Sequence, residues 1–183
     1  MARHRHSSDR DGRPAPALEE LAAVYQEHIG FVWRVVARMG VPREAVPDVA
    51  QDVFLVVHRR LPDFDGRASM RAWLAGICRG VVRNHLRASA RRRRRLELLP
   101  PPQADAPEAE RMELGDLVAR CIDGLDEDQR DALVLVDIEG LAPAEVARTL
   151  GVSRNTIYSR VRLARAKLRE RLAALSSDVG DSA

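Results

Sequence analysis

The sequence predicts an all-α protein built as two small helical domains joined by a proline-rich linker. Three observations carry that prediction. Apolar residues recur at three- and four-residue steps through both halves, the mark of helices with one buried face. No segment alternates in the period of two that a half-buried strand requires. Four prolines, Pro100, Pro101, Pro102 and Pro107, fall within eight residues near the middle of the 183-residue chain, where proline stiffens a tether and cannot continue a helix.

Residues 1–17 are basic, polar and poor in apolar side chains, so a disordered tail is expected there. The first helix begins at Leu18. Leu18, Leu21, Tyr25, Ile29, Val32, Trp33, Val36 and Met39 are expected to form its buried face, and Gly40-Val41-Pro42 ends it. The second helix starts near Pro47, a residue suited to a first turn because its missing N–H would be unpaired there anyway, and stops at Leu61-Pro62. A loop over 63–69 leads to a third helix from about Met70 to Arg95, with Trp73, Leu74, Ile77, Val81, Val82 and Leu86 facing inward. The first domain is thus 18–95 and the linker 96–112. A second domain follows over 113–175, with helices expected over 113–123 and 126–139, then a tail over 176–183.

The strongest local motif spans 141–165. Pro143 opens a short helix, Gly151 supplies a positive-φ turn, Val152 packs between helices, and Ser153 N-caps the next helix. This is the pattern of a helix-turn-helix. Its second helix presents Ser153, Arg154, Asn155, Thr156, Tyr158 and Ser159 at the end that meets base edges. Arg160 and Arg162 suit phosphates better than bases. A plain helical hairpin is the structural alternative.

Charge placement points the same way. There are 30 Lys+Arg against 27 Asp+Glu, a net charge of +3, and Lys167 is the sole lysine. Between Gly66 and Leu96 ten arginines occur and no acid. Arg79, Arg83 and Arg87 fall four apart on one face, making a stripe suited to a polyphosphate backbone; a solvated surface is the plain alternative. Arg154 to Arg171 adds seven basic residues and one acid. Two basic elements on two tethered domains predict two contacts on one nucleic acid, with the gain in effective concentration that tethering brings.

Other classes find no support. Cys78 and Cys121 lack the spacing of a disulfide framework or zinc site. No apolar run reaches the ~18 residues of a membrane span, and the N-terminus lacks an apolar signal region. Phosphate-binding loops, nucleophile elbows and metalloprotease motifs are all missing. The expectation is a soluble, reduced, cytoplasmic protein with no catalytic centre, metal or cofactor. A stand-alone helix-turn-helix regulator acting as a dimer is the competing reading, and the full additional domain at 18–95 argues against it.

In its motifs the chain resembles bacterial RNA polymerase sigma factors of the extracytoplasmic-function (ECF) subgroup, over about 18–95 and 113–172. Asp48, Gln51, Asp52 and Phe54 fit the family's D-x-x-Q-[DE]-x-F. Phe64, Gly66, Trp73, Leu74, Ile77, Arg79, His85, Leu86 and Arg87 fit F-x-G…WL-x-x-I-x-R…H-L-R. Leu125, Arg130, Leu133, Glu145, Ala147, Gly151, Ser153, Thr156, Ser159, Arg160, Ala164, Arg165 and Leu168 resemble the family's fourth domain.

The resemblance implies that 18–95 is sigma region 2 and 113–175 sigma region 4. It implies core-polymerase binding at the β′ clamp helices through Asp48, Gln51, Asp52 and Leu55. Contact with the minus-ten element falls to Arg67, Arg71, Arg79, Arg83, Asn84 and Arg87. Contact with the minus-thirty-five element falls to Ser153, Arg154, Asn155, Thr156, Tyr158, Ser159, Arg160 and Arg162. The β flap, promoter DNA and an anti-sigma protein complete the implied partners, and the bound chain would lie on the nucleoid. Pro47, Gly80, Asn84 and the run Asn155-Thr156-Ile157-Tyr158 depart from the common pattern, so promoter sequence does not transfer base by base.

Overall fold

A computed structural model describes residues 18–96, 121–122 and 124–180. The 1–17 tail, the 96–112 linker beyond Leu96 and most of the helix expected over 113–123 lie outside the described residues. Among those described there are helices and turns and no strand.

Helix α1 (Leu18–Arg38) carries Glu19 and Glu20 in its first turn and Arg38 in its last, the arrangement that the helix dipole favours. Its buried stripe is His28, Phe31, Val32, Val35, Val36 and Met39, which corrects the expected face. Trp33 and Tyr25 are surface residues and Leu18 is 80 % exposed. The cause is geometric. Phe31, Val32, Val35 and Val36 already fill the inward arc, and Trp33, about 100° on from Val32, falls outside it. The helix also outruns its partner: 21 residues reach ~32 Å, whereas the 15 of α2 (Val46–Arg60) reach ~22 Å. Tyr25 instead leans on Phe54, with ring centroids 4.7 Å apart.

Between α1 and α2, Gly40 turns the chain at φ 91° and Arg43–Ala45 adds one 3-10 turn. Pro47 stands in the first turn of α2, and Val49, Val53 and Val57 are its fully buried edge. After a second 3-10 turn (Leu61–Asp63), Gly66 at φ 71° reverses the chain. The Ser69 hydroxyl then accepts from the Ala72 N–H at 3.3 Å to cap α3 (Met70–Leu96). These three helices pack on one another around Val32, Val36, Val49, Val53, Leu74, Cys78 and Val82.

In the second half, Asp126 N-caps α4 (Glu127–Leu133), accepting from the Gln129 N–H at 2.9 Å. The segment expected as one helix to Glu139 changes hand-hold partway. Val134–Ile138 widens into a π-helical turn, closed by the Glu139 N–H on the Val134 carbonyl at 2.9 Å. Then α5 (Pro143–Leu150), Gly151 at φ 67° and α6 (Arg154–Gly180) follow. The Ser153 hydroxyl caps α6 through the Thr156 N–H at 3.1 Å. Ile157, Val161 and Ala164 face inward.

The two helical halves also pack against each other and share a core. Leu135, Leu141, Val146, Ala147, Leu150, Ile157 and Val161 join the α1–α3 cluster. A smaller cluster of Ile122, Leu125, Leu133, Val134 and Ala164 belongs to the second half alone. Contact between halves is close at Gly76, where an added Cβ would lie 3.0 Å from Thr149 Cγ2. The Thr149 hydroxyl donates to the Ala72 carbonyl at 3.2 Å. Burying apolar surface across the seam is favourable in itself and holds the halves together.

Candidate nucleic-acid interface

Three surfaces carry the residues singled out by the sequence. On α2, Asp48, Gln51, Asp52 and Leu55 are all exposed and lie along one strip, opposite the buried Val49, Val53 and Val57. Leu55 is 53 % exposed, an apolar side chain on the same open face as the carboxylates.

In the 63–69 loop and on α3 the arginines and Asn84 divide. Arg67, Asn84 and Arg87 are exposed; Arg67 pairs with Asp65 at 3.3 Å, and Arg87 Nε donates to the Arg83 carbonyl. Arg71, Arg79 and Arg83 reach across the seam. Arg71 sits over the Phe31 ring, 4.7 Å from its centroid, and donates to the Glu139 carbonyl at 2.8 Å. The Glu139 carboxylate, buried at the end of the π turn, also holds Arg34 at 3.2 Å and Arg38 at 2.7 Å. Arg79 Nε donates to Asp131 at 2.7 Å and its Nη2 to Asp128 at 3.2 Å. Arg83 donates to Asp131 at 3.0 Å and also to Asp128, and Arg160, from α6, donates to Asp128 as well.

The two carboxylates of this knot respond differently. Burial works to raise both. At Asp131, buried among helices, burial prevails over the Arg79 and Arg83 contacts and the carboxyl is held above the usual range. At Asp128, burial is outweighed by the hydrogen bond from Arg83 and the charges of Arg160 and Arg83, which hold it below that range. The Arg83 guanidinium is desolvated, yet its hydrogen bond to Asp128 and the Asp131 charge raise its pKa.

The third surface is the N-terminal end of α6. Ser153, Arg154, Asn155, Tyr158, Ser159 and Arg162 are exposed and Thr156 is half-buried, its hydroxyl 2.8 Å from that of Ser153. Arg160 alone leaves this group, turned toward Asp128. Farther along, Arg165 forks onto Asp137 at 2.6 and 2.7 Å, and that carboxylate raises its pKa.

Sequence reasoning missed Asp128, Asp131 and Glu139. It sought acids within the arginine-rich stretch, and these lie 45 to 68 residues away from their partners there along the chain. A signal was present: Glu127, Asp128 and Asp131 gather on one short helix of the other half, complementary in sign to the α3 stripe.

Cys78 and Cys121 are buried, free thiols. Among the described residues no group of three or more His, Cys, Asp or Glu side chains is placed to hold a metal ion. No described helix is long and apolar enough to cross a membrane.

The family model of sigma-70 region 2 matches residues 24–92, and that of sigma-70 region 4 matches 115–168. The chain is 31 % identical over 181 residues to the ECF RNA polymerase sigma factor SigE of Mycolicibacterium smegmatis, covering 94 % of this chain and 68 % of that one. It is 36 % identical over 151 residues to the ECF sigma factor SigC of Mycobacterium tuberculosis, covering 81 % and 80 %. Among solved structures it is similar to CnrH in complex with the cytosolic domain of CnrY, with a TM-score of 0.66 at 30 % identity over 87 % of this chain and 91 % of that one. The sigma factor RpoE of Bartonella quintana, solved with the anti-sigma factor NepR, shares the fold with a TM-score of 0.72 at 20 % identity, over 85 % of this chain and 98 % of that one. With both domains matched in order over most of its length, the chain belongs to the ECF RNA polymerase sigma factors, non-enzymatic proteins of transcription initiation.

Proposed function

We propose that this chain binds core RNA polymerase through the α2 strip, places it on promoters and holds the melted DNA during initiation. The observation that carries the reading is the division of polar surface. An acidic strip with one apolar anchor, Asp48, Gln51, Asp52 and Leu55, stands exposed on α2, while α3 and the start of α6 carry acid-free runs rich in arginine. Acids on an exposed face suit a basic partner helix and set orientation and on-rate. The β′ clamp helices are the partner for that strip, and the β flap is the partner for the second half.

On DNA, Arg67, Arg71, Arg79, Arg83, Asn84 and Arg87 serve the minus-ten element. Arginine forks hold phosphates, and unpaired bases exchange their stacking for protein contacts. Ser153, Arg154, Asn155, Thr156, Tyr158, Ser159, Arg160 and Arg162 serve the minus-thirty-five element, with the first turn of α6 in the major groove. An anti-sigma protein is the further partner, as in the complex of the Bartonella quintana RpoE with NepR. The work is done in the cytoplasm, on the nucleoid once polymerase is bound. Binding energy alone does this work.

Size exclusion with sigma-free bacterial core polymerase tests the first step. One-to-one co-elution that weakens in Asp52→Ala supports the reading. Separate elution of two folded proteins, together with a two-fold footprint on duplex DNA without polymerase, overturns it in favour of a stand-alone regulator.

A further inference from the structure

We infer that the cleft beside Trp73, where the two halves meet, is a binding site for a free nucleotide, its phosphates between Arg60 and Arg148 and its base against Trp73. The cleft encloses about 430 Å3, within the roughly 300–1,000 Å3 of small-molecule sites, which favour junctions of this kind. Both halves build it: Arg60 comes from the end of α2, Trp73, Gly76 and Ile77 from α3, and Arg148 and Thr149 from α5. The close approach of Gly76 to Thr149 forms its back wall.

Charge singles the cleft out. Elsewhere along the seam the arginines meet carboxylates. Arg34, Arg38 and Arg71 converge on Glu139, and Arg79, Arg83 and Arg160 on the pair of Asp128 and Asp131. In the cleft the one lining acid is Asp65, and it is spent within its own loop. It pairs with the Arg67 guanidinium at 3.3 Å and accepts from the Arg67 N–H at 3.0 Å. Arg60 and Arg148 are exposed, and no described carboxylate pairs with either. Two guanidinium groups from opposite halves thus border one cavity with no described carboxylate to share. A diphosphate fits between them: its oxygens suit guanidinium forks, and its charge offsets the repulsion of two like cations.

The rest of the lining suits a flat organic body. Trp73 is half-buried and is steadied by Phe64, with ring centroids 5.2 Å apart, while Ile77 follows one helical turn on. Stacking on an aromatic ring tolerates any base, so the cleft selects nucleotides as a class. Arg60 and Arg148 belong to neither set of residues proposed for promoter DNA, which keeps the phosphate contacts of this site separate from those surfaces.

Isothermal titration of the full chain with ADP at low salt tests the site, with sodium pyrophosphate and adenosine as comparison ligands. The variants are Arg60→Gln, Arg148→Gln and Ala68→Leu, the last filling the cleft that Ala68 also lines while leaving both cations in place. Arg59→Gln, exposed beside Arg60 but outside the cleft, matches the arginine variants in charge. Far-UV circular dichroism checks that each is folded. ADP should bind one-to-one, about tenfold more tightly than pyrophosphate, and adenosine should give no heat. Arg60→Gln and Arg148→Gln should each weaken ADP by about tenfold or more, and Arg59→Gln by less than about twofold. Ala68→Leu should weaken ADP and leave pyrophosphate unchanged. Equal affinity for ADP and pyrophosphate overturns the assignment to a nucleotide. Equal loss in Arg59→Gln reduces the binding to general surface charge. Loss in only one of the two arginine variants places the ligand on one half and overturns a site across the seam. Absence of ADP binding up to millimolar concentration overturns the inference outright.

Discussion

Glu139→Gln keeps the shape of one side chain and removes a single charge at the seam. The wild-type carboxylate is 2 % exposed and faces three guanidinium groups, Arg34 at 3.2 Å, Arg38 at 2.7 Å and Arg71 at 3.3 Å. Those arginines are 50, 38 and 42 % exposed, so water screens each pair from the outside. A fully exposed pair contributes ~0.2–1 kcal/mol, and a hydrogen bond to a charged group ~1.5–3 kcal/mol. The half-screened geometry puts each of the three at about 0.5–1 kcal/mol. The glutamine carbonyl still accepts from one arginine, and the Glu139 backbone carbonyl still accepts from Arg71, which leaves a loss of about 2 kcal/mol. At ~2–4 °C per kcal/mol for a chain of this size, thermal unfolding at pH 7 and 0.15 M salt, followed by far-UV circular dichroism, should shift down by about 4–8 °C. Glu145→Gln is the control, because Glu145 is half-buried and accepts from the Ser69 N–H at 3.2 Å, a bond that the glutamine carbonyl keeps; it should shift the midpoint by under ~1 °C. Equal midpoints for Glu139→Gln and the parent would refute the view that the trio converging on Glu139 binds the halves.

Cys78 is fully buried and burial pushes its pKa up to about 12, so roughly one thiol in ten thousand is ionised at pH 8; with Cys121 buried as well, a disulfide-exchange reagent should react with neither thiol until denaturant is added. Gly151→Ala should cost about 1–2 kcal/mol, read as a lower urea midpoint, because φ of 67° penalises any Cβ even though one would meet open space; an unchanged midpoint would show that the turn relaxes. The two acids of the knot should respond to pH with opposite signs. Asp128 has a lowered folded pKa, so its contribution is present above the ordinary value of 3.8 and is lost as pH falls through the folded value, where the stability gap to Asp128→Asn should close. Asp131 has a raised folded pKa, so the gap between the parent and Asp131→Asn should shrink as pH rises from 3.8 through the folded value; parallel pH profiles for the two variants would contradict this.

What the sequence made legible was local chemistry. Pro47 in a first turn, Gly66 and Gly151 at positive φ, and Ser153 as a cap each depend on a residue and its immediate neighbours. The strip of Asp48, Gln51, Asp52 and Leu55 was legible for the same reason, since helical phase alone places it opposite three valines. What stayed hidden needed knowledge of a remote neighbour. Trp33 and Val32 satisfy the same spacing rule equally well, and only the position of the other helices decides which faces in. Arg79 and Arg83 read as free because their carboxylates lie across the seam, and the shared core follows from apolar faces on Val146, Leu150 and Val161 that local periodicity cannot assign to a partner. The widened turn at 134–138 had no sequence signal beyond an ordinary apolar run.

That turn sets the angular phase of everything after it. Its bonds run from Glu139 N–H to Val134 and from Leu141 N–H to Leu135, one and two residues wider than an α-helix would make. Removing a single residue between 134 and 138 would restore ordinary helical pitch and rotate the downstream chain by about 100°. The Glu139 carboxylate would then swing away from its three arginines, and α5 would present a different edge to α3. Substitution within 134–138 changes a side chain, whereas a change of residue count changes how the two halves are aimed. Over evolutionary time this segment should accept new residues far more readily than a new length.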